Sequence, residues 1–323
     1  MAKGSHQLWS TMHTSHLIES QIDILNRELA GVRWPTYGAF ALAAVVWGVA
    51  LVLPFGWGAV QWAMLVFALT LHSSLSHEIL HGGFFRSTRA NGWLGAFQPG
   101  LFVPYLRFRA LHLAHHQDAD LTDPYDDPES AYLDPRVWER LPVLARMVLG
   151  FNNTLLGRVT VGPVIGMADF LRGDLRRIAK GQTDVMLHWL AHLPGVVITL
   201  WLVSMSSVPL WLYLSACYGA MSVLRIRTFL EHRAHERSAG RSVVIEDRGI
   251  LAFLFLNNNF HAVHHAHPQV AWYHLPALYR SGRDKFLLGN QDYVYRSYAQ
   301  IIVQYFLRAK DPVAHPLWQP KDD

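Results

Sequence analysis

Two long stretches of this chain contain no Asp, Glu, Lys or Arg. The first runs over 44 residues from Trp34 to His77, the second over 40 residues from Val185 to Leu224. Each is about twice the roughly 20 residues a membrane-crossing helix needs. Each also carries a turn signal near its middle: Pro54-Phe55-Gly56-Trp57-Gly58 in the first, and Ser204 to Pro209, with Ser206 and Ser207, in the second. The pattern predicts four spans, about 37–54, 59–76, 186–204 and 209–226. Trp57, Trp62, Trp201 and Trp211 lie near the turns, as an interfacial aromatic belt would.

The polar remainder sets the expected orientation. Of the 28 Lys and Arg, three fall in residues 1–36, twelve in 78–184 and thirteen in 225–323, leaving none for the two short turns. Basic residues stay on the cytoplasmic side. Both termini and the middle segment are therefore expected there, most simply at an inner (cytoplasmic) membrane. The first apolar run follows a polar stretch and does not read as a signal peptide. Within residues 15–30, Ile18, Ile22, Leu25 and Leu29 mark one helix face suited to the membrane surface. Residues 136–180 mix apolar and Arg positions and read as interfacial helices broken at Gly150, Gly157 and Gly162-Pro163. With no linker or repeat, residues 1–323 read as one domain. The expected fold is all-α, an integral membrane protein of four transmembrane helices with a cytoplasmic helical cap.

Composition agrees. Charged residues make up 16%, against roughly 25% in a soluble domain. A net charge of +4 is too mild to suggest a nucleic-acid partner. One cysteine, Cys217, excludes a disulfide scaffold or a CxxC centre and reads as packing in the fourth span. The unusual count is 19 histidines.

These histidines are grouped. His77-Glu78-Ile79-Leu80-His81 is HxxxH; His112-Leu113-Ala114-His115-His116 and His261-Ala262-Val263-His264-His265 are both HxxHH. At about 100° per residue, helix positions i, i+3 and i+4 share an arc of roughly 100°. Each box can thus aim its imidazoles at one point. Gly82-Gly83 is expected to stop the first box, Asn259 to cap the third and Pro268 to limit it. All three boxes fall on the expected cytoplasmic side, as does His232, just beyond the fourth span. Nine imidazoles exceed the six ligands one metal ordinarily takes, so two metals is the simplest reading. Imidazole suits Zn, Cu, Fe and Ni. Zinc has no redox chemistry, an all-histidine pair beside a bilayer suits O2 chemistry on iron, and spacing alone leaves copper open.

HxxxH, then HxxHH about 30 residues on, then a distant HxxHH after two more spans, resembles the membrane fatty acid desaturase and hydroxylase superfamily. His265-Ala266-His267-Pro268 is similar to that family's HHxxP, and Glu231-His232 to its extra ligand before the last box. The resemblance covers roughly residues 40–280. It implies two iron ions held by His77, His81, His112, His115, His116, His232, His261, His264 and His265, with His235 competing with His232. It also implies an O2-dependent oxidoreductase that desaturates an unactivated C–C bond of a fatty-acyl or lipid-like substrate. Hydroxylase or ketolase chemistry is the alternative within the superfamily. The Asn257-Asn258-Asn259 stretch before box three looks more like small bacterial desaturase-like enzymes, including a type that acts on an amino-acid-like enol ether. The fused cytochrome b5 domain frequent in the family has no counterpart motif here. Electrons are therefore expected from an external donor, such as an acidic ferredoxin or a reductase, on the basic face.

Other readings bear on single residues. HExxH at 77–81 is also the zinc protease signature, with Glu78 as base, but that leaves two HxxHH boxes unexplained; otherwise Glu78 is a supporting or surface carboxylate. A metal transporter would place its ligands inside the spans. Asp118 and Asp123 are candidates for steadying ligand imidazoles. Arg107, Arg109, Arg225 and Arg227 could meet an anionic head group or simply anchor at the interface. His188 and His192 could line a substrate path. His72 lies about 140° around its helix from His77 and is not expected in the site. His267 and His274 read as packing or supporting residues, and His6, His13, His16 and His315 as surface residues.

Overall fold

The computed structural model describes residues 33–54, 56–117 and 120–319. The expected surface helix at 15–30, His6, His13, His16 and Asp118 lie outside them. The described residues are mostly helical. The first hairpin is α1 (Trp34–Val52) and α2 (Gly58–Leu80), followed by α3 (Thr88–Ala96) and α4 (Tyr105–Gln117). Short helices α5 (Pro135–Arg140), α6 (Val143–Asn152) and α7 (Leu155–Thr160) lead to α8 (Gly162–Ala179). The second hairpin is α9 (Thr183–Ser204) and α10 (Leu210–Thr228). Beyond it come β1 (Val244–Ile245), α11 (Ile250–Leu254), α12 (His261–Ala266), α13 (Leu275–Ser281), α14 (Arg283–Gly289), β2 (Val294–Tyr295) and α15 (Tyr298–Tyr305). The strands pair in parallel, Val244 beside Val294.

Three of these helices, α1, α2 and α9, are long and apolar enough to cross a membrane. Only 22–44% of their apolar windows is covered by the rest of the chain. Val45, Val49, Leu187, Leu190 and Val197 stand exposed, with Trp57, Trp201 and Trp211 near the turns. A soluble core would cover such a surface. The fourth expected span, α10, occupies its place but is less apolar. Its inner face buries Tyr213, Ala216, Cys217 and Ala220 against other helices, and its last turn carries Arg225 and Arg227. At Gly219 a β-carbon would stand 2.8 Å from Val66, so α10 approaches α2 as closely as a bare backbone allows.

Both hairpins turn at the same end. Gln61, buried, donates to the carbonyls of Ala50 and Leu53 and to Ser207 Oγ, and the Ser207 amide donates to Leu51 O. The opposite end of α2 buries Leu71 and Leu75 with Phe229, Ile245 and Phe255. Full burial of each leucine contributes about 1.5–3 kcal/mol. This core joins the first hairpin to the C-terminal elements.

The middle segment breaks before Gly162-Pro163 as expected, but not at its other two glycines. Gly150 and Gly157 lie inside α6 and α7, and the breaks fall at Leu141-Pro142, Asn153-Thr154 and Val161. Gly157 serves close approach: a β-carbon there would stand 1.8 Å from the Phe151 carbonyl.

Candidate metal centre

Box one is the last turn of α2 and its capping residue. His81 caps the helix, Gly82 follows at φ +83°, the Gly82 amide donates to Ile79 O (3.0 Å) and the Gly83 amide to Glu78 O (2.8 Å). These are the two bonds of a Schellman ending. Box two occupies the last turns of α4. The Arg107 guanidinium of α4 grips Asp174 of α8 through two bonds of 2.9 and 2.7 Å, and Trp189 Nε1 of α9 donates to the same carboxylate. Arg107 is thus a buried structural clamp, not a head-group contact. Arg227 is likewise engaged, with Glu231 at 2.9 Å.

Box three is α12. Its capping position is Phe260, not the expected Asn259, and it makes no side-chain cap bond. Asn259 instead donates to the carbonyls of Ile245 and Asp247, tying the start of α12 to β1. The chain needs that link more than a cap, because the Ala262 amide is already taken by Val243 O. The helix ends at Ala266, two residues before Pro268.

All nine expected histidines converge, in two groups. His77, His81, His112, His116 and His264 form one; His115, His232, His261 and His265 form the other. Within each group the candidate ligand nitrogens lie within 4.8 Å of one another. The boxes do not each aim at one point, as their shared arc suggested. His112 and His116, four apart, face the first group while His115 faces the second. In α12 the assignment reverses: His261 and His265 face the second group and His264 the first. An arc of roughly 100° is wide enough to overlook two centres. His232 joins the second group from a non-helical stretch bridged to Ser242. His235 joins neither and instead accepts from the Arg237 amide.

The donor geometry fits metal ions. Nε2–Nε2 separations are 3.0 Å for His115–His232, His232–His261, His112–His116 and His116–His264, and 3.1 Å for His261–His265. Two imidazole nitrogens held at right angles about 2.1 Å from one ion would lie about 3.0 Å apart. The buried Nε2 atoms of His77 and His81 have no hydrogen-bond partner, the condition of ligands facing an ion.

The second ring nitrogens are tied down. His112 Nδ1 lies 2.9 Å from Glu129, His115 Nδ1 2.7 Å from Asp127, His232 Nδ1 3.2 Å from Ser242 Oγ and His261 Nδ1 3.2 Å from Asn258 Oδ1. Such partners fix ring orientation and leave Nε2 to the metal. The acidic loop thus supplies Asp127 and Glu129, not Asp123, whose carboxylate accepts from the Tyr125 and Asp126 amides and from Trp318. No sequence spacing marks Asp127 or Glu129, because they meet their histidines through a loop. Glu78 accepts from the Trp272 amide.

Burial dominates the electrostatics. Together with neighbouring histidine charge it pushes His116 down to about 3 and His232, His261, His264 and His265 well below the usual imidazole range. These rings are held neutral, as metal binding by imidazole requires. Burial also opposes a charge on His115, but the hydrogen bond to Asp127 and the charges of Glu129, Asp127 and Glu231 overcome it and raise its pKa to about 9. Burial opposes ionisation of Glu129 as well, yet His112, His115 and Arg227 hold it far below the usual carboxylate range.

The remaining described histidines stay outside both groups. His72 packs near Phe40, His192 contacts the Leu101 carbonyl at 2.7 Å, and His267 and His274 flank α12 and α13. His315 is buried, not on the surface, and bonds Thr122 Oγ1 at 3.1 Å.

Apolar helices of membrane-crossing length and two all-histidine groups define a membrane-associated protein with two candidate metal sites. The profile of the family described as fatty acid desaturase matches residues 53–298, and the chain belongs to that family. A curated relative in Sorghum bicolor, described as a probable fatty acid desaturase, is 25% identical over 277 residues, covering 74% of this chain and 64% of that protein. Another, the acyl-lipid omega-3 desaturase (cytochrome b5) of the endoplasmic reticulum of Arabidopsis thaliana, is 24% identical over 274 residues, covering 73% of this chain and 65% of that protein. This chain spans less than two thirds of the length of either relative.

Proposed function

We propose that this protein is a membrane diiron desaturase acting on a fatty-acyl or related lipid-like substrate. The observation that carries the reading is the division of nine histidines into two adjacent groups by the same two HxxHH boxes. A helix that contributes to both groups fixes their separation, as a paired-metal site requires. His77, His81, His112, His116 and His264 would hold one iron; His115, His232, His261 and His265 would hold the other. When bound, the iron pair supplies O2 activation and hydrogen abstraction from an unactivated C–H bond. The overall change joins two substrate hydrogens, O2, two electrons and two protons into a C=C bond and two waters.

The chain's own part is positioning. Asp127, Glu129, Ser242 and Asn258 hold the imidazole planes. Burial keeps most of the ligands neutral, so protons compete weakly with the metal. α1, α2, α9 and α10 form the four spans, and the remaining helices form a cap on the cytoplasmic side of the membrane. The whole chain works as one domain, with both termini cytoplasmic. Electrons come from an external carrier, an acidic ferredoxin or a reductase docking on the basic face. Turnover with purified protein, NADPH and O2 alone would refute that last point.

Hydroxylation or ketone formation needs the same ligands and differs only in where the substrate sits. Mass spectrometry of lipid extracts with and without expression under O2 decides: a product lighter by about two mass units supports desaturation, one heavier by about sixteen supports hydroxylation. An HExxH zinc protease uses one metal, held at His77 and His81, and would retain it in His265→Ala, whose ring faces the other group. Loss of bound iron from that variant supports the diiron reading.

A further inference from the structure

Eight of the nine histidines sit on helices or on the residue that caps one. His232 lies instead in the extended stretch after α10, so its position depends on what grips its main chain. One edge is a short ladder: the Arg233 amide donates to Arg241 O (2.9 Å) and the Val243 amide to Glu231 O (3.1 Å). The other edge is held by the segment beyond α15, outside the family match. The Lys310 ammonium, its side chain 8% exposed, donates to the His232 carbonyl. Asp311 lies 3.5 Å from that ammonium and accepts from Tyr132 OH, which in turn accepts from the Ala234 amide at 2.9 Å. The strap is itself fixed: the Lys310 amide donates to Asn153 O at 3.0 Å, and Asn153 Nδ2 donates to Asp311 O.

We infer that Lys310, with Asp311 and Tyr132, is a positioning residue that sets His232 as a ligand of the second metal group. The inference rests on the diiron reading. A single carbonyl could be satisfied by water. Burying an ammonium is costly unless it is paired, and here Lys310, paired with Asp311, and Tyr132 hold two successive groups on one edge of the main chain at the ligand, the His232 carbonyl and the Ala234 amide. The first group shares no residue with this network, so the effect is selective.

The test titrates metal-free, full-length protein in detergent with Co(II), following its visible absorption and the bound stoichiometry. Wild type is expected to bind two ions. Lys310→Met, similar in volume but without a donor, should weaken one of the two by about 10–100-fold, the range for losing a group that supports a ligand. It should alter that ion's absorption band and leave the other unchanged. Lys310→Arg should recover part of the loss. Wild-type affinity at both sites in Lys310→Met, or equal weakening of both, overturns the inference. If Lys310→Met does not fold, Tyr132→Phe carries the same test: selective weakening of one site supports it and unchanged binding overturns it. Fewer than two ions in wild type would instead refute the diiron reading.

Discussion

Asp127→Asn is the sharpest perturbation of the centre. The carboxylate is buried and fully used: Oδ1 meets His115 Nδ1 at 2.7 Å and accepts from the Glu129 amide at 2.9 Å, while Oδ2 accepts from the Thr122 amide at 2.8 Å. An asparagine that keeps its oxygen toward His115 sets its NH2 against the Thr122 N–H. The charge-assisted bond to His115, worth about 1.5–3 kcal/mol, becomes a neutral one of about 0.5–1.5 kcal/mol. The difference of roughly 1–1.5 kcal/mol corresponds to about a tenfold loss of metal affinity above pH 9, where His115 is deprotonated in both proteins, confined to the group containing His115.

The proton balance gives a second signature. With its pKa raised to about 9, His115 carries an extra proton at pH 7.5, and metal uptake must expel it. Wild type should therefore release about one proton at the second group. Its apparent affinity should climb with pH up to about 9 and then level off. Asp127→Asn removes two of the causes that raise this pKa, so the release should fall towards zero. Calorimetric Co(II) titration in two buffers of different ionisation enthalpy measures both quantities. Equal proton release in the two proteins, or none in wild type, would refute the reasoning.

Other perturbations separate local from shared roles. His264→Ala and His265→Ala, adjacent in sequence, should each lose one metal but from different groups, so their remaining Co(II) spectra should differ; identical spectra would refute the division. Asp174→Ala leaves the buried Arg107 guanidinium unpaired and should destabilise the protein by about 3–5 kcal/mol, visible as a lower thermal midpoint in detergent; an unchanged midpoint would remove the clamp between α4 and α8. Gly82→Ala places a β-carbon at φ +83° and should cost about 1–2 kcal/mol; denaturant unfolding showing no loss would mean the ending of α2 is not under that constraint.

Local spacing shows a good deal of this molecule. Charge-free stretches with central turn signals mark both hairpins, because the apolar length a helix exposes is written residue by residue. The four expected boundaries lie within a few residues of α1, α2, α9 and α10, and α10 is less apolar, with Arg225 and Arg227 in its last turn. Gly162-Pro163 marked a true helix start, but Gly157 misled: it is required by a carbonyl packed against it, and its type alone does not announce that contact. Asn259 reads as a cap by type, yet β1 is a stronger partner for it.

Histidine spacing by itself determined that each box presents its imidazoles on one side of a helix, since angular position depends only on residue number. Tertiary structure alone decided which ring faces which group, that His232 and not His235 joins them, and that Asp127 and Glu129 rather than Asp123 steady the rings. Those choices depend on distances between segments far apart in the chain, and a helical repeat fixes an angle within one element without fixing what stands opposite it.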